Sequence, residues 1–215
     1  TAPVPVTNFT VVSINPTDYV GTYTAGVTKV VTYEYVRDSA ADITVRHIEQ
    51  GTGIQLATTD TLSGVRMLGL PYITSEKDIQ NFDLTAQPVN KIGTFMNYPQ
   101  LVTYAYKRKS AGNIEVVYVD TAGNELAIQD TISGIGMLGL PYTTWPKTVT
   151  NFTLTDVPAN ANGIFTTGPH TVTYVYKRSD AADVTVYNKS VYDSCDLTQP
   201  IVMSGMEKLG LPYTT

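Results

Sequence analysis

Positive charge is scarce in this 215-residue sequence, which has 14 Lys and Arg against 19 Asp and Glu and a net charge of −5. A protein that binds nucleic acid uses Lys and Arg to neutralise phosphates, so this balance argues against a nucleic-acid partner. It also gives no attraction to an anionic membrane surface. Because no apolar run approaches the roughly 18 residues of a membrane-spanning helix, we expect no membrane insertion.

Cysteine and histidine are almost absent, which limits the possible chemistry. The one cysteine, Cys195, cannot form an intrachain disulfide, and we interpret it as a tolerated loop thiol or, alternatively, a reactive or linking one. The two histidines, His47 and His170, occupy non-equivalent places and are interpreted as incidental polar residues. These residues provide no zinc-binding constellation, so we expect no metal and no cofactor.

Catalytic motifs are missing as well. The sequence contains no Gly-x-Ser-x-Gly, no phosphate-binding loop and no dinucleotide fingerprint. Carboxylates do not recur as a pair at fixed positions, so a glycosidase-type site has no support. We therefore predict that the protein is not an enzyme and has no catalytic residues.

Helical periodicity is weak, whereas strand-forming residues are plentiful. Thr and Val are common, and 15 Tyr stand against five Phe and one Trp, a composition that favours strands. The only candidate helical segment, around the recurring Ser-Gly and Leu-Gly-Leu-Pro sequences, contains too much Gly and Pro for more than a turn or two. The sequence predicts a mainly β fold.

One stretch, Leu-Gly-Leu-Pro-Tyr, occurs three times with a period of about 70 residues. Its copies lie within 67–74, 137–144 and 208–215. The first interpretation is therefore three tandem small β-rich domains, 1–74, 75–144 and 145–215, arranged like beads on an elongated string. The stretch itself is interpreted as a structural corner, where Gly and Pro turn the chain and Leu and Tyr contact the core.

The strongest predicted strand of each period has the pattern Val-Thr-Tyr-x-Tyr and lies at 31–35, 102–106 and 172–176. Period-2 alternation places Val and both Tyr on one face. This face is typical of a core with tyrosine hydroxyls at its rim, and an aromatic ligand platform remains the alternative.

Candidate ligand-binding residues are those that vary while the surrounding pattern is constant. Trp145 stands where the other periods have Ser75 and Ala2, so the fold does not require it, although a Trp packed at a junction between units is the alternative. Hairpin loops also differ between periods. The predicted ligand-binding residues are Trp145, Tyr118, Asn124 and Tyr192.

The order and spacing of several short motifs resemble the MucBP (mucin-binding protein) repeat of Gram-positive surface proteins. In 114–178 these motifs are Val-Pro at 157–158, Gly-Ile-Phe at 163–165 and the strand that ends in Tyr-Lys at 176–177. The resemblance implies small domains related to the ubiquitin-like β-grasp. It also implies a second way to divide the chain into repeats, with complete units 43–108 and 114–178 and partial units 1–37 and 184–215. We call the division into 1–74, 75–144 and 145–215 the first phase and this division the second phase.

The same resemblance implies the repeat region of an extracellular adhesin, attached to the bacterial cell wall through a region outside this sequence. Its partners would be glycans of mucin or another host glycoprotein, bound through many weak contacts by a monomeric, elongated rod. One alternative is a structural stalk that presents another binding domain, and a lesser alternative is immunoglobulin binding through a sheet edge. A Lys–Asn cross-link at Lys77 and Lys147 is disfavoured because Val4 replaces them in the first period.

Overall fold

The structure is a computed structural model that describes residues 2–15 and 20–215. A turn that the sequence predicts at 15–18 falls almost wholly outside this range. The chain forms two compact units, one ending at Arg108 and the other beginning at Lys109, and each is described by itself. The described residues contain 16 strands and no helix, which confirms the mainly β class. Accordingly, none of them lies in a helix that could span a membrane.

The first unit contains eight strands. They are β1 (Phe9–Asn15), β2 (Thr32–Arg37), β3 (Ile43–Glu49), β4 (Asp60–Leu62), β5 (Pro71–Ile73), β6 (Phe82–Leu84), β7 (Ile92–Thr94) and β8 (Gln100–Arg108). Residues 43–108, here called the first module, form a four-stranded sheet in the order β4-β3-β8-β6 and a small β5-β7 pair. The central strands β3 and β8 are parallel, whereas both edge strands are antiparallel to their neighbours.

The second unit repeats this arrangement. Its strands are β9 (Ile114–Asp120), β10 (Glu125–Ile132), β11 (Pro141–Thr143), β12 (Phe152–Asp156), β13 (Asn162–Ile164), β14 (His170–Arg178), β15 (Val184–Val186) and β16 (Ile201–Met203). Residues 114–178, the second module, form the sheet β10-β9-β14-β12 and the pair β11-β13, again with a parallel centre. All strand pairs of the two four-stranded sheets, and the pairs β5-β7 and β11-β13, therefore lie within 43–108 or within 114–178.

The core of each module lies on one face of its sheet. In β8 the alternating residues Val102, Tyr104 and Tyr106 are at most 2% exposed, as are their counterparts in β14. Strand residues two apart point to the same side, so this row is the face that the sequence pattern predicts. The core interpretation of the tyrosines is confirmed, and it removes their rings from contact with a ligand.

Each compact unit also contains a two-stranded segment. The N-terminal segment (2–37) holds the antiparallel pair β1-β2, and the C-terminal segment (184–215) holds the antiparallel pair β15-β16. By sequence, β1 and β2 correspond to the last edge and central strands of a module, and β15 and β16 correspond to its first two sheet strands. Each segment thus contains half of the strands of a four-stranded sheet.

The candidate helical segment at 64–70 forms two successive turns, closed by hydrogen bonds from Met67 N to Gly64 O (3.0 Å) and from Leu70 N to Met67 O (2.9 Å). Gly69 has a φ of 80°, a left-handed conformation that interrupts any helix. A Cβ at Gly69 would also overlap the side-chain amide of Asn8. The corner interpretation of the recurring stretch is consistent with this geometry.

The corner also joins the N-terminal segment to the first module. Arg37 lies over the ring of Phe9 at 4.5 Å and donates from Nη1 to Leu68 O at 2.9 Å. Arg178 repeats both contacts in the second unit, with Phe152 and with Leu209 O. Arg37 at the end of β2 and Arg178 at the end of β14 therefore each hold the Leu-Gly-Leu-Pro-Tyr corner that follows along the chain.

Candidate ligand-binding site beside Trp145

The rim of the second module is held by two core tyrosines. The Tyr174 hydroxyl shares a hydrogen bond of 2.9 Å with Thr144 Oγ1, which is itself buried. The Tyr176 hydroxyl accepts from Lys147 N at 3.0 Å and donates to Lys147 O at 2.8 Å. Residues 144 and 147 are thereby fixed on either side of Trp145.

Trp145 itself faces solvent. Its side chain is 74% exposed, while Thr144 beside it is 5% exposed. Among the described residues, Trp145 makes one hydrogen bond, in which its backbone carbonyl accepts from the Tyr118 hydroxyl at 3.3 Å. The packed-Trp alternative does not agree with this exposure. An indole on a backbone anchored at both sides is suited to stacking against a flat apolar surface.

An ion pair lies next to Trp145. Lys147 Nζ lies 2.8 Å from Asp130 Oδ1 and donates to Ile128 O at 2.7 Å. The hydrogen bonds from Lys147 and then from Tyr118 hold the pKa of Asp130 below its ordinary value, so its carboxylate is charged at neutral pH. The site therefore combines an exposed aromatic ring with a carboxylate acceptor and an ammonium donor.

Tyr118 has a different place from the one predicted. It is 2% exposed and stacks on Tyr174 with ring centroids 5.7 Å apart, so its ring cannot contact a ligand. Its hydroxyl donates to Asp130 Oδ2 at 2.8 Å. Burial, followed by the bond to Asp130, raises the pKa of Tyr118, which keeps this hydroxyl protonated. Tyr118 positions the carboxylate and offers no aromatic surface.

Asn124 is engaged in its own turn. Its Nδ2 donates to Asp120 Oδ2 and its backbone N donates to Asp120 Oδ1, both at 2.8 Å. Tyr192 is 96% exposed in the turn at 190–195, where Cys195 is also exposed. Among the described contacts, none joins Asn124 or Tyr192 to Trp145. The four predicted residues therefore do not form one cluster.

The first module has the same Lys–Asp ion pair and the same hydrogen bond from Lys to a core Tyr, here called the Lys–Asp frame, but it has no Trp beside them. Lys77 Nζ lies 2.6 Å from Asp60 Oδ2, and Lys77 N donates to the Tyr106 hydroxyl at 2.9 Å. Ser75 stands where the second module has Trp145. The carboxylate that pairs with Lys was missed by sequence reasoning, although Asp60 and Asp130 both lie three residues before Ser-Gly. In both modules this Lys pairs with Asp rather than Asn, which further disfavours a Lys–Asn cross-link.

The structure corrects the interpretation of His47 as an incidental polar residue. It occupies the Tyr118 position, is fully buried, and its Nδ1 lies 3.0 Å from the Tyr106 hydroxyl. Its Nε2 lies 3.6 Å from Asp60 Oδ2. Burial, followed by the charge of Lys77, lowers its pKa, so the ring is neutral near pH 7. The alternation of Ile43, Val45 and His47 is the signal that could have placed it on the core face.

Comparison with known proteins connects this geometry to a family. The family profile of the MucBP domain matches residues 42–107 and 113–177. Internalin J of Listeria monocytogenes serovar 1/2a is 38% identical over 179 residues, which covers 80% of this chain and 20% of that protein. Internalin J of serotype 4b is 37% identical over 175 residues, 79% of this chain and 18% of that protein. The chain thus spans about a fifth of the length of these relatives.

Solved structures give a more distant likeness. The type 2 repeat of the mucus binding protein MUB from Lactobacillus reuteri is 16% identical, with 64% of this chain and 99% of that chain covered and a TM-score of 0.23. The streptococcal SHIRT domains 3-4 from a cell surface protein are 10% identical, with 65% and 99% covered and a TM-score of 0.33.

Proposed function

Because this chain belongs to the MucBP domain family, we propose that it binds the glycans of mucins or other host glycoproteins at the surface of a Gram-positive bacterium. MucBP domains are typical of Gram-positive cell-surface proteins, and internalin J is a relative of this chain. Its role is adhesion and not catalysis.

The exposure of Trp145 is the single observation that supports this function best. Sugars present flat C–H faces that stack on aromatic rings, and an indole with 74% of its surface free offers such a platform. Asp130 and Lys147 place a charged acceptor and a charged donor beside it. A sugar stacked on Trp145 would direct its hydroxyl groups towards this pair.

Affinity at one such site would be low. Mucins are anionic and the chain has a net charge of −5, so bulk charge does not drive association. A shallow surface also buries little of the ligand. Adhesion therefore depends on many copies of the protein meeting many glycans, which raises avidity without new contacts.

Binding to mucin-coated surfaces tests the proposal. Trp145→Ala should reduce binding about tenfold or more, the loss typical of one stacking anchor. Its free energy of unfolding should stay within about 0.5 kcal/mol of the wild type, as is usual for surface substitutions. The matched gain-of-function variant is Ser75→Trp, which places an indole beside Lys77 and Asp60 and should increase binding.

A spacer role is the second candidate, and a specific observation favours it. The first module has the Lys–Asp frame but carries Ser75 instead of an aromatic residue, so its exposed surface lacks this platform. If the wild-type chain binds no more mucin than a blank surface at high density, the modules act as a stalk. Immunoglobulin binding through a sheet edge is the lesser candidate, and an immunoglobulin-coated surface in the same assay tests it.

We further propose that the folding unit follows the second phase, 43–108 and 114–178. Cutting the chain at 74 and 144 would separate strands β3 and β9 from their parallel partners β8 and β14. A unit that lost this central ladder would also expose the tyrosine face. The location of the sheets therefore supports the second phase over 1–74, 75–144 and 145–215.

A further inference from the structure

The ammonium group of Lys147 is engaged within the second module. Its Nζ donates to Ile128 O at 2.7 Å and to Asp130 Oδ1 at 2.8 Å. It also lies 4.4 Å from the ring centroid of the buried Tyr118, so its charge is attracted to the face of that ring. An ammonium has three N–H donors, and two of them are used. At most one donor of Lys147 remains for a ligand.

The first module indicates that this lysine serves the fold of the rim. Lys77 makes the same two contacts, with Thr58 O at 3.0 Å and with Asp60 Oδ2 at 2.6 Å, although this module has no Trp. Because the Lys–Asp frame forms without an aromatic platform beside it, the frame belongs to the module itself. An anionic ligand would have to compete with Asp130 for Lys147.

The carboxylate of Asp130 keeps free hydrogen-bonding capacity. Its Oδ1 accepts from Lys147, and its Oδ2 accepts from the Tyr118 hydroxyl at 2.8 Å. A carboxylate has about four lone-pair sites, so roughly two remain. The side chain of Asp130 is 51% exposed, against 35% for Lys147, so the carboxylate is the more open of the two groups. The charged group that faces a ligand at Trp145 is therefore mainly an acceptor.

Backbone N–H groups at this rim are already paired. Thr144 N donates to Ala161 O at 2.8 Å, and Lys147 N donates to the Tyr176 hydroxyl at 3.0 Å. Pro146 has no N–H. Proteins commonly hold anions with backbone N–H groups or with Arg and Lys side chains. Residues 144, 146 and 147 offer no free backbone donor for this purpose.

We propose that the Trp145 site binds uncharged sugars, such as hexoses and N-acetylhexosamines, and discriminates against sialic acids and sulfated sugars. This inference rests on the proposed function, glycan binding at Trp145. An uncharged sugar stacks its C–H face on the indole and donates hydroxyl hydrogens to the open lone pairs of Asp130. An anionic sugar in the same place brings its charge to that carboxylate, and the charge of Lys147 is already paired.

Binding of two glycan fractions tests this discrimination. Mucin glycans are released, separated by charge into a neutral fraction and a fraction with sialic acid or sulfate, and coated at equal density. The wild type should bind the neutral fraction about fivefold more tightly, the effect of one like charge at about 4 Å in water. Raising the ionic strength should reduce this ratio, because salt screens the repulsion.

Asp130→Asn should change the two fractions in opposite directions. It removes the charge that strengthens hydrogen bonds from a neutral sugar, so binding of the neutral fraction should fall. It also leaves Lys147 without a counter-charge, so binding of the anionic fraction should rise. The matched control is Asp60→Asn, which changes the net charge equally at the Lys–Asp frame without a Trp and should leave the ratio unchanged.

Trp145→Ala distinguishes a failure of this inference from a failure of the proposed function. If neither fraction binds the wild type, or if binding does not depend on Trp145, glycan binding at this site is refuted and the inference with it. If binding depends on Trp145 but the wild type binds the anionic fraction equally or better, only the preference for uncharged sugars is overturned. The same holds if Asp130→Asn shifts the ratio no more than Asp60→Asn does.

Discussion

Acidification should destabilise the first module more than the second, because His47 and Tyr118 occupy the same core position. His47 is fully buried, its Nδ1 contacts the Tyr106 hydroxyl, and Lys77 lies nearby with Asp60. Burial and the Lys77 charge lower its pKa below 6.5 in the folded state. Tyr118 has a raised pKa and carries no charge in either state near neutral pH.

The sign and size of this pH effect on stability follow from the linkage between proton binding and folding. Below pH 6.5 the unfolded chain binds a proton at His47 that the folded chain does not bind, so stability falls as pH falls. The contribution is complete above the unfolded pKa of 6.5 and is lost as pH falls towards the folded pKa. Binding of one proton lowers the free energy of unfolding by at most about 1.4 kcal/mol per pH unit. This corresponds to about a tenfold rise per pH unit in the equilibrium constant for opening of the first module. Asp60 has a lowered pKa, so its own contribution is lost only at more acidic pH.

Amide hydrogen exchange, read by mass spectrometry and corrected for intrinsic rates, separates the modules. Peptides from β3 and β8 should lose protection between pH 6.5 and 5.5, while peptides from β9 and β14 provide the internal comparison. His47→Tyr should remove the difference, since it copies the second module. If both modules lose protection equally, or if His47→Tyr leaves the pH dependence unchanged, the assignment of His47 as a buried neutral group is refuted.

Three further perturbations test the fold. Gly69→Ala should lower the free energy of unfolding, measured in urea, by at least about 1–2 kcal/mol because residue 69 has a left-handed backbone conformation. The control Gly168→Ala should be near neutral, because a Cβ added there would lie in open space. Phe165→Ala should cost about 3–5 kcal/mol because it empties the contact with Tyr142, and a smaller loss would contradict its core position. A fragment 38–108 should unfold cooperatively by circular dichroism, whereas 75–144 should not, and the reverse would favour the first phase.

The mainly β class and the tyrosine core were predictable because they depend on period-2 alternation, which one strand displays by itself. The strand Val-Thr-Tyr-x-Tyr gives the same pattern whatever its neighbours are. The pairing of β3 with β8 was not predictable in this way, because these strands lie far apart in sequence. The period of the recurring stretch is equally compatible with both phases, since a repeat has no intrinsic starting point.

The candidate site was only partly predictable for a similar reason. Trp145 was found because it differs from Ser75 at a position where the pattern otherwise repeats. Tyr118 was misjudged because exposure depends on which strand lies beside β9, and that strand is β14. Asp130 was missed because its role depends on Lys147, 17 residues away, and only the folded chain brings the two together.

Intrinsic fluorescence tests the central claim most directly, because Trp145 is the one tryptophan in the chain. Selective excitation of tryptophan during titration with released mucin glycans therefore reports on this side chain alone. The proposed stacking predicts a saturable blue shift, since a sugar would displace water from a ring that is 74% exposed. An unchanged emission spectrum, while the same glycans are shown to bind the chain, would contradict the placement of the site at Trp145.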